Sequence, residues 1–331
     1  MAAEMMSSRR FFYVKPRSML IVLLLLTAIL AAAPSWLSAG TLRQISEFLF
    51  VFAMAESWNL LAGFVGLISL GHQGFVGIGA YSLFMIANAS GISPHFAMLF
   101  ALVISALAAA AIAPFLFRLR DAYFSIAIWV VAEIARTATA KSHWLGSSIG
   151  VVLEATRHMD RTWLAIGIYW WAVGIGIGSI ALLFLLVRSR LGLALMAVRD
   201  NDLTAASVGI DVGRARFIAF VLSGALCGIA GAGYSMLSYH IDPNGAYDGN
   251  WVVVMLFITI IGGIGTIEGP IIGTAIYFGL REEMGDIGNW YLILMGSVAV
   301  IAMIAMRRGI WGTLTRKFAF ELFSVRRLPP L

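Results

Sequence analysis

Apolar runs long enough to cross a bilayer recur from one end of this chain to the other. They limit what it can fold into more than any motif does. A hydrocarbon core ~30 Å thick takes ~20 residues of helix. Inside it each span must satisfy its own backbone N–H and C=O groups, so long apolar runs become helices. Only 12% of the 331 residues are charged, 60% are hydrophobic, and the mean hydropathy is +0.90. No polar stretch much exceeds about 25 residues, which leaves no room for a soluble domain. The pattern predicts an all-α polytopic membrane protein of about ten crossings. They are placed at 19–39, 45–63, 73–89, 94–117, 122–140, 163–187, 217–239, 251–265, 270–284 and 290–306. The third, eighth and ninth are Gly-rich or short, so any of them could be re-entrant. The organisation expected is a tail at 1–18, a membrane domain at 19–306 and a tail at 307–331.

Orientation follows from Lys and Arg, which accumulate on the cytoplasmic side of spans. With the N-terminus inside, seventeen of the 23 cations fall inside, five outside and one, Arg136, within a span. Both termini are expected in the cytoplasm, as is the loop at 188–216. The formal charge of +6 comes from arginines beside spans and is no nucleic-acid signal. Residues 1–39 imitate a signal peptide, but Leu37 would sit three before a cut after Ala39. Small residues are required there, so an uncleaved first span is expected. The single Cys227 excludes an intramolecular disulfide.

Within 188–220 lies a hydrophilic island, RSRLGLALMAVRDNDLTAASVGIDVGRARFIAF, with five arginines and three aspartates. Inside it, DLTAASVGI reads as a short capped helix. Asp200 or Asp202 can accept the first free N–H groups. Leu203 to Val208 make about two turns, and Gly209 suits the left-handed position after the last turn. Such a helix, faced by Ala205 and Ala206 beside Thr204 and flanked by Arg199, could dock in a groove on another protein. It could equally be a solvated loop.

Two Gly-rich segments break the apolar pattern. SWNLLAGFVGLISLGHQGFVGIGAY starts at Ser57 and carries Asn59, Ser69, His72 and Gln73 among its glycines. IGGIGTIEGPIIGTAIY starts at Ile261 and carries Glu268 beside the break. Glycines at this spacing let membrane helices approach closely. Broken helix ends also line solute sites in transporters. Packing and path lining both remain open for these residues. Glu133 and Arg136 share a helix face in AYFSIAIWVVAEIARTATA. They either line a polar path or fix the register of a buried helix, because lone charges at that depth cost roughly 2.5–3.5 kcal/mol each. Glu56 is a lone acid expected to face the protein interior.

No Lys follows a Gly, so there is no phosphate-binding Walker loop. There is no HExxH, and one Cys with five scattered His makes no metal cluster. No nucleophile–base pair suggests a membrane-embedded enzyme.

Five blocks in order resemble the permeases of branched-chain amino-acid ATP-binding-cassette importers, specifically the M-type subunits. They are SWNLLAGFVGLISLGHQGFVGIGAY, RLRDAYFSIAIWVVAEIAR, GSSIGV, AVRDNDLTAASVGI and GGIGTIEGPIIG, spanning 48–306. Ser147 and Ile149 depart from that family's outer loop, and no Glu stands where its coupling loop has one. The resemblance implies a type II-importer-like fold in a bacterial inner membrane. It implies an H-type permease, two cytoplasmic ATPases that bind the ATP, and a periplasmic binding protein, with no cofactor on this chain. Arg199, Asp200, Asp202, Thr204, Ala205, Ala206 and Gly209 would then form the ATPase-coupling segment. Asn59, His72, Gln73, Glu133, Arg136 and Glu268 are the expected path residues. Urea or short amides are an alternative cargo for such a permease. A stand-alone ion-coupled transporter is the alternative of another class.

Overall fold

The computed structural model describes residues 12–13, 24–25, 27–119, 121–157, 159–284, 293, 296–297, 300, 309–318 and 320–321. These are mostly helical. The tenth expected crossing lies almost wholly outside the described residues. Of the first, residues 24–25 and 27–32 are helical and run into a 3₁₀ turn at Ala33–Ser35.

The central helix, α1, covers Ala39–Asn59. Ser38 caps its start by accepting from Thr41 N–H. It continues as a π-helix over Leu60–Val65 and ends at Gly66, where φ is +83°. Every residue from 50 to 65 is buried. The chain continues through α2 (Gln73–Ser90), α3 (Pro94–Leu116), α4 (Asp121–Lys141) and α5 (Arg161–Arg188), of which α5 packs on α1 while α2 and α3 pack on each other. At 28 residues α5 is ~42 Å long at 1.5 Å per residue. Two short helices follow, α6 (Arg190–Asp200) and α7 (Asp202–Ser207), and then the long α8 (Val212–Met236). The chain ends its described part with α9 (Pro243–Ala246), α10 (Asn250–Gly262), α11 (Gly269–Met284) and α12 (Gly309–Phe318). Among the described residues five segments are long and apolar enough to cross a membrane: Ala39–Val65, Pro94–Leu116, Arg161–Arg188, Val212–Met236 and Pro243–Gly262. The outward faces carry large apolar side chains, as on α3, where Phe96, Phe100, Val103 and Leu107 are exposed at helical spacing. In water this would be an aggregation surface; lipid solvates it.

Close backbone approach sets the packing of α8 on α2 and α3. A Cβ on Gly79 would overlap the Gly228 carbonyl, and one on Gly228 would overlap Ser105. In the same stretch Gly224 meets Ala109, Gly231 meets Val76 and Gly233 meets Phe50. The small-residue face around Gly224–Gly233 is used up inside the chain, because only glycine lets three helices converge so closely.

The ends of the helices sort into two groups. At one end lie the break after α1, α6, α7, the α10–α11 turn and α12. Here a Cβ on Gly309 would lie against Gly263, and a parallel pair joins Phe12–Tyr13 to Phe320–Glu321. The two tails therefore meet. At the other end Val151–Val152 pairs antiparallel with His240–Ile241, and Asn88 Nδ2 donates to Val152 O (2.8 Å).

Candidate functional site

The two Gly-rich segments, some 200 residues apart, converge at one junction. Asn59 is the link. Its Nδ2 donates to Thr266 O (2.8 Å) and its Oδ1 accepts from Gly265 N–H (2.9 Å). The amide thus closes both hydrogen bonds that a neighbouring strand would otherwise make to the turn. Asn59 Nδ2 also reaches Glu56 Oε2 at 3.5 Å. Glu56 is fully buried. The expectation that Glu56 faces the interior is met.

His72 knits a second part of the junction. Its Nδ1 lies 2.7 Å from Ser69 Oγ and its Nε2 lies 2.8 Å from Ser223 Oγ. The Ser223 hydroxyl donates to Ser57 O (2.7 Å), so Ser223 accepts from Nε2–H, and with the buried ring neutral Ser69 donates to Nδ1. That assigns the neutral Nε2–H tautomer from the network. Trp58 Nε1 donates to Ser69 O (2.8 Å) and holds the loop against α1. Gln73 opens α2, buried, with an Oε1 that has no hydrogen-bond partner among the described residues.

Asn59, His72, Gln73 and Glu268 are therefore sealed inside the chain. They pack around the two helix breaks. Glu133 and Arg136 differ. They form a bidentate ion pair on the open side of α4, with Arg136 Nε 2.9 and 3.0 Å from the two Glu133 oxygens and Nη2 2.5 Å from Oε1. The remaining Nη1 donates to Asn244 Oδ1 (2.6 Å), which ties α4 to α9. The i,i+3 pairing was legible in the sequence. Asn244 was missed, because nothing local marks a partner 108 residues away.

Residues 202–207 form the short helix expected, displaced by one residue. Asn201, not Asp200 or Asp202, is its cap, accepting from Thr204 N–H (3.0 Å). Asp202 instead pairs with Arg216 on α8 (2.5 Å), and Asp200 lies beside Arg199 (3.5 Å). Gly209 has φ +85°, with Gly209 N–H donating to Ala206 O (3.0 Å) and Ile210 N–H to Ala205 O (3.1 Å). This is the paired 5→2 and 6→1 closure of a Schellman turn. Ala205 is 2% exposed and packs inward. The exposed face is Leu203 (82%), Thr204, Ala206 and Val208 (72%). Leu203 and Val208 were legible as large apolar residues stranded in a polar island.

Replacing Gly209 with valine is expected to strain the turn by at least ~1–2 kcal/mol, the cost of a left-handed non-glycine residue. No atom lies within 4 Å of the new Cβ, so the effect is conformational alone. Faster amide exchange at residues 202–210, with the rest of the chain unchanged, is the expected readout; unchanged exchange there would contradict it.

Arg199 faces the junction more than a partner. Its Nη1 donates to Gly63 O (2.6 Å), and its side chain lies against Gly66 and Gly265. One arginine of α6 thus touches both breaks. Among the described residues no group of three or more His, Cys, Asp or Glu could hold a metal ion.

The family profile described as "Branched-chain amino acid transport system / permease component" matches residues 40–306. The chain is 24% identical over 312 residues to the high-affinity branched-chain amino acid transport system permease protein LivM of Salmonella typhimurium. The same figures hold for LivM of Escherichia coli, covering 86% of this chain and 73% of each relative. It is also 33% identical over 133 residues to the probable branched-chain amino acid transport permease protein LivH of Methanocaldococcus jannaschii, covering 38% of this chain and 41% of that one. With a match across most of its length and a helical, multi-pass membrane architecture, the chain belongs to the branched-chain amino acid transport permease family.

Proposed function

We propose that this chain is the membrane-spanning half of an ATP-driven importer that carries branched-chain amino acids across a bacterial inner membrane. The observation that carries the reading is mechanical. An exposed, doubly capped helix stands at the end of the bundle where both helix breaks converge, and Arg199 runs from its neighbour into that convergence. The names of the relatives supply the cargo and the kind of system.

In this reading α7 offers Leu203, Thr204, Ala206 and Val208 to a cytoplasmic ATPase. Closure of two ATPases on ATP moves α6 and α7 together, and Arg199 pulls on Gly63 at the break after α1. Alternating access then follows as a switch between two packings of the junction. An H-type permease supplies the second half, a periplasmic binding protein delivers the solute, and both tails lie in the cytoplasm. About ten spans in a type II-importer-like arrangement complete the half. ATP binds on the partner chains and this one takes no cofactor. Asn59, His72, Gln73 and Glu268 hold the junction together behind the path, while Glu133 and Arg136 face it.

Reconstitution tests this directly. The chain co-expressed with its permease, ATPase and binding-protein neighbours is expected to take up leucine only with ATP inside the complex. Uptake by this chain without any ATPase, driven by an ion gradient, would overturn the reading in favour of a secondary transporter. In the full complex, Arg199→Ala removes a charged hydrogen bond worth ~1.5–3 kcal/mol. Uptake per ATP hydrolysed is expected to fall about tenfold or more, since ~1.4 kcal/mol is a factor of ten. An unchanged ratio would sink the linkage.

A further inference from the structure

Two recesses adjoin on the open side of α4, and Glu133 belongs to both. The first, about 400 Å³, is polar: Glu133, Arg136, Asn244 and Asp248 line it, with Tyr247 beside them. The second, about 420 Å³, is walled by Trp129, Val130, Ile134 and Thr137, with Lys141 at its far rim. Trp129, Val130 and Ile134 are exposed to it rather than packed inside the chain. Charges grouped on one side and branched and aromatic carbon on the other make an amphipathic cradle.

We infer that this cradle is a transit site for a zwitterionic, branched aliphatic amino acid, its charged head beside Arg136 and its side chain against Trp129 and Ile134. The inference rests on the proposed function and adds to it where the solute sits and why an amino acid is taken over an amide.

The argument is one of charge conservation. In the empty cradle Arg136 spends Nε and Nη2 on Glu133 and Nη1 on Asn244. The pair is part-exposed, at 32% and 46% of its two side chains, and a solute that opens it has to give each half a new partner. A zwitterion does so without changing the net charge. Its carboxylate takes the guanidinium fork, which fits a carboxylate bidentately. Its ammonium takes Glu133 and Asp248. Asp248 is held in place by Asn250, whose N–H and Nδ2 donate to its two oxygens (2.9 and 3.1 Å). Each of those oxygens keeps a lone pair for the ligand. Urea, an amide, a carboxylic acid without an amine, or an amine without a carboxylate leaves one half of the pair exposed. Glu133 lies ~18 Å along α4 from Asp121, so the cradle sits past mid-helix toward the end that carries the Val151–Val152 and His240–Ile241 pair.

A leucine analogue with a photoreactive diazirine in its side chain locates the site. The complete co-expressed complex in proteoliposomes is irradiated during turnover, and adducts are mapped by mass spectrometry. Adducts are expected on α4 between residues 129 and 138. Excess leucine should suppress them about tenfold or more, equivalent to ~1.4 kcal/mol of preference. Equal excess of 4-methylpentanoate or 3-methylbutylamine, each lacking one charge, should not. Glu133→Gln and Arg136→Gln should each abolish the leucine-suppressible adducts; wild-type mapping does not depend on how those variants fold. A complex that takes up no leucine overturns both the proposed function and this site. Leucine uptake with adducts elsewhere, with α4 adducts insensitive to leucine, or with equal suppression by the single-charge analogues overturns the site alone.

Discussion

Gly79→Val is expected to prevent this chain from forming a stable bundle. The new Cβ would occupy the place of the Gly228 carbonyl, a backbone atom that cannot swing aside. To relieve the overlap α2 and α8 must separate along their whole contact. That strips α8 from Phe75 at Gly224 and from Val76 at Gly231 as well. Association of membrane helices draws on close packing rather than on expulsion of water, so a gap there is not refilled by any other force. A loss of about 4 kcal/mol or more is expected, the range reserved for severe core faults. The control is Gly178→Val on α5, where nothing lies within 4 Å of the new Cβ. Thermal unfolding of the detergent-solubilised chain, with yield of monodisperse protein, separates the two. Equal midpoints for the Gly79 and Gly178 variants would refute the packing argument.

Asn59→Leu should have the second largest effect. Leucine has nearly the same shape but cannot answer Gly265 N–H or Thr266 O, which Asn59 meets at 2.9 and 2.8 Å. An unpaired buried backbone group costs ~1–3 kcal/mol, so the pair costs about 2–6 kcal/mol. For a chain of this size that corresponds to a fall in the unfolding midpoint of roughly 5–15 °C. Glu56 also loses its neighbouring amide donor. Uptake in the reconstituted complex should fall with stability, and hydrogen exchange should rise at residues 262–268 before it rises in α2. Gln in place of Asn is no rescue, because one added methylene drives the amide into the turn. Wild-type exchange at 262–268 in the leucine variant would show that the amide does not hold the turn.

Much of the bundle was legible because polar punctuation is sharp in an apolar chain. Prolines and glycines mark the starts and stops of α2, α3, α10 and α11, and their predicted limits fall within a few residues of the observed ones. The short helix at 202–207 was legible too, since a cap residue, two turns and a glycine form a local grammar. Which of three consecutive polar residues caps was not, because Asp200, Asn201 and Asp202 are all competent and the choice depends on Arg216 drawing Asp202 away. The same limit applies to the glycines of α8. Their spacing announces close packing, but it does not say against what. Asn59 was singled out as polar in an apolar run, a sound sign that it does something. Its partners, Gly265 and Thr266, are more than 200 residues further on, and no periodicity can report a pair so distant. Glu133 and Arg136, three apart on one helix, reported themselves.

The π-turn at Leu60–Val65 has a consequence for timing. A π-turn holds one residue more than the α-turn it replaces. Rewinding it into α geometry would therefore advance everything after Asn59 by one residue, ~1.5 Å of rise and about 100° of rotation. Gly63 O would turn away from the Arg199 guanidinium that now grips it at 2.6 Å. The break after α1 is thus an escapement. In the observed winding the arginine is its pawl, so any rewinding of the break has to release Gly63 O from Arg199 first.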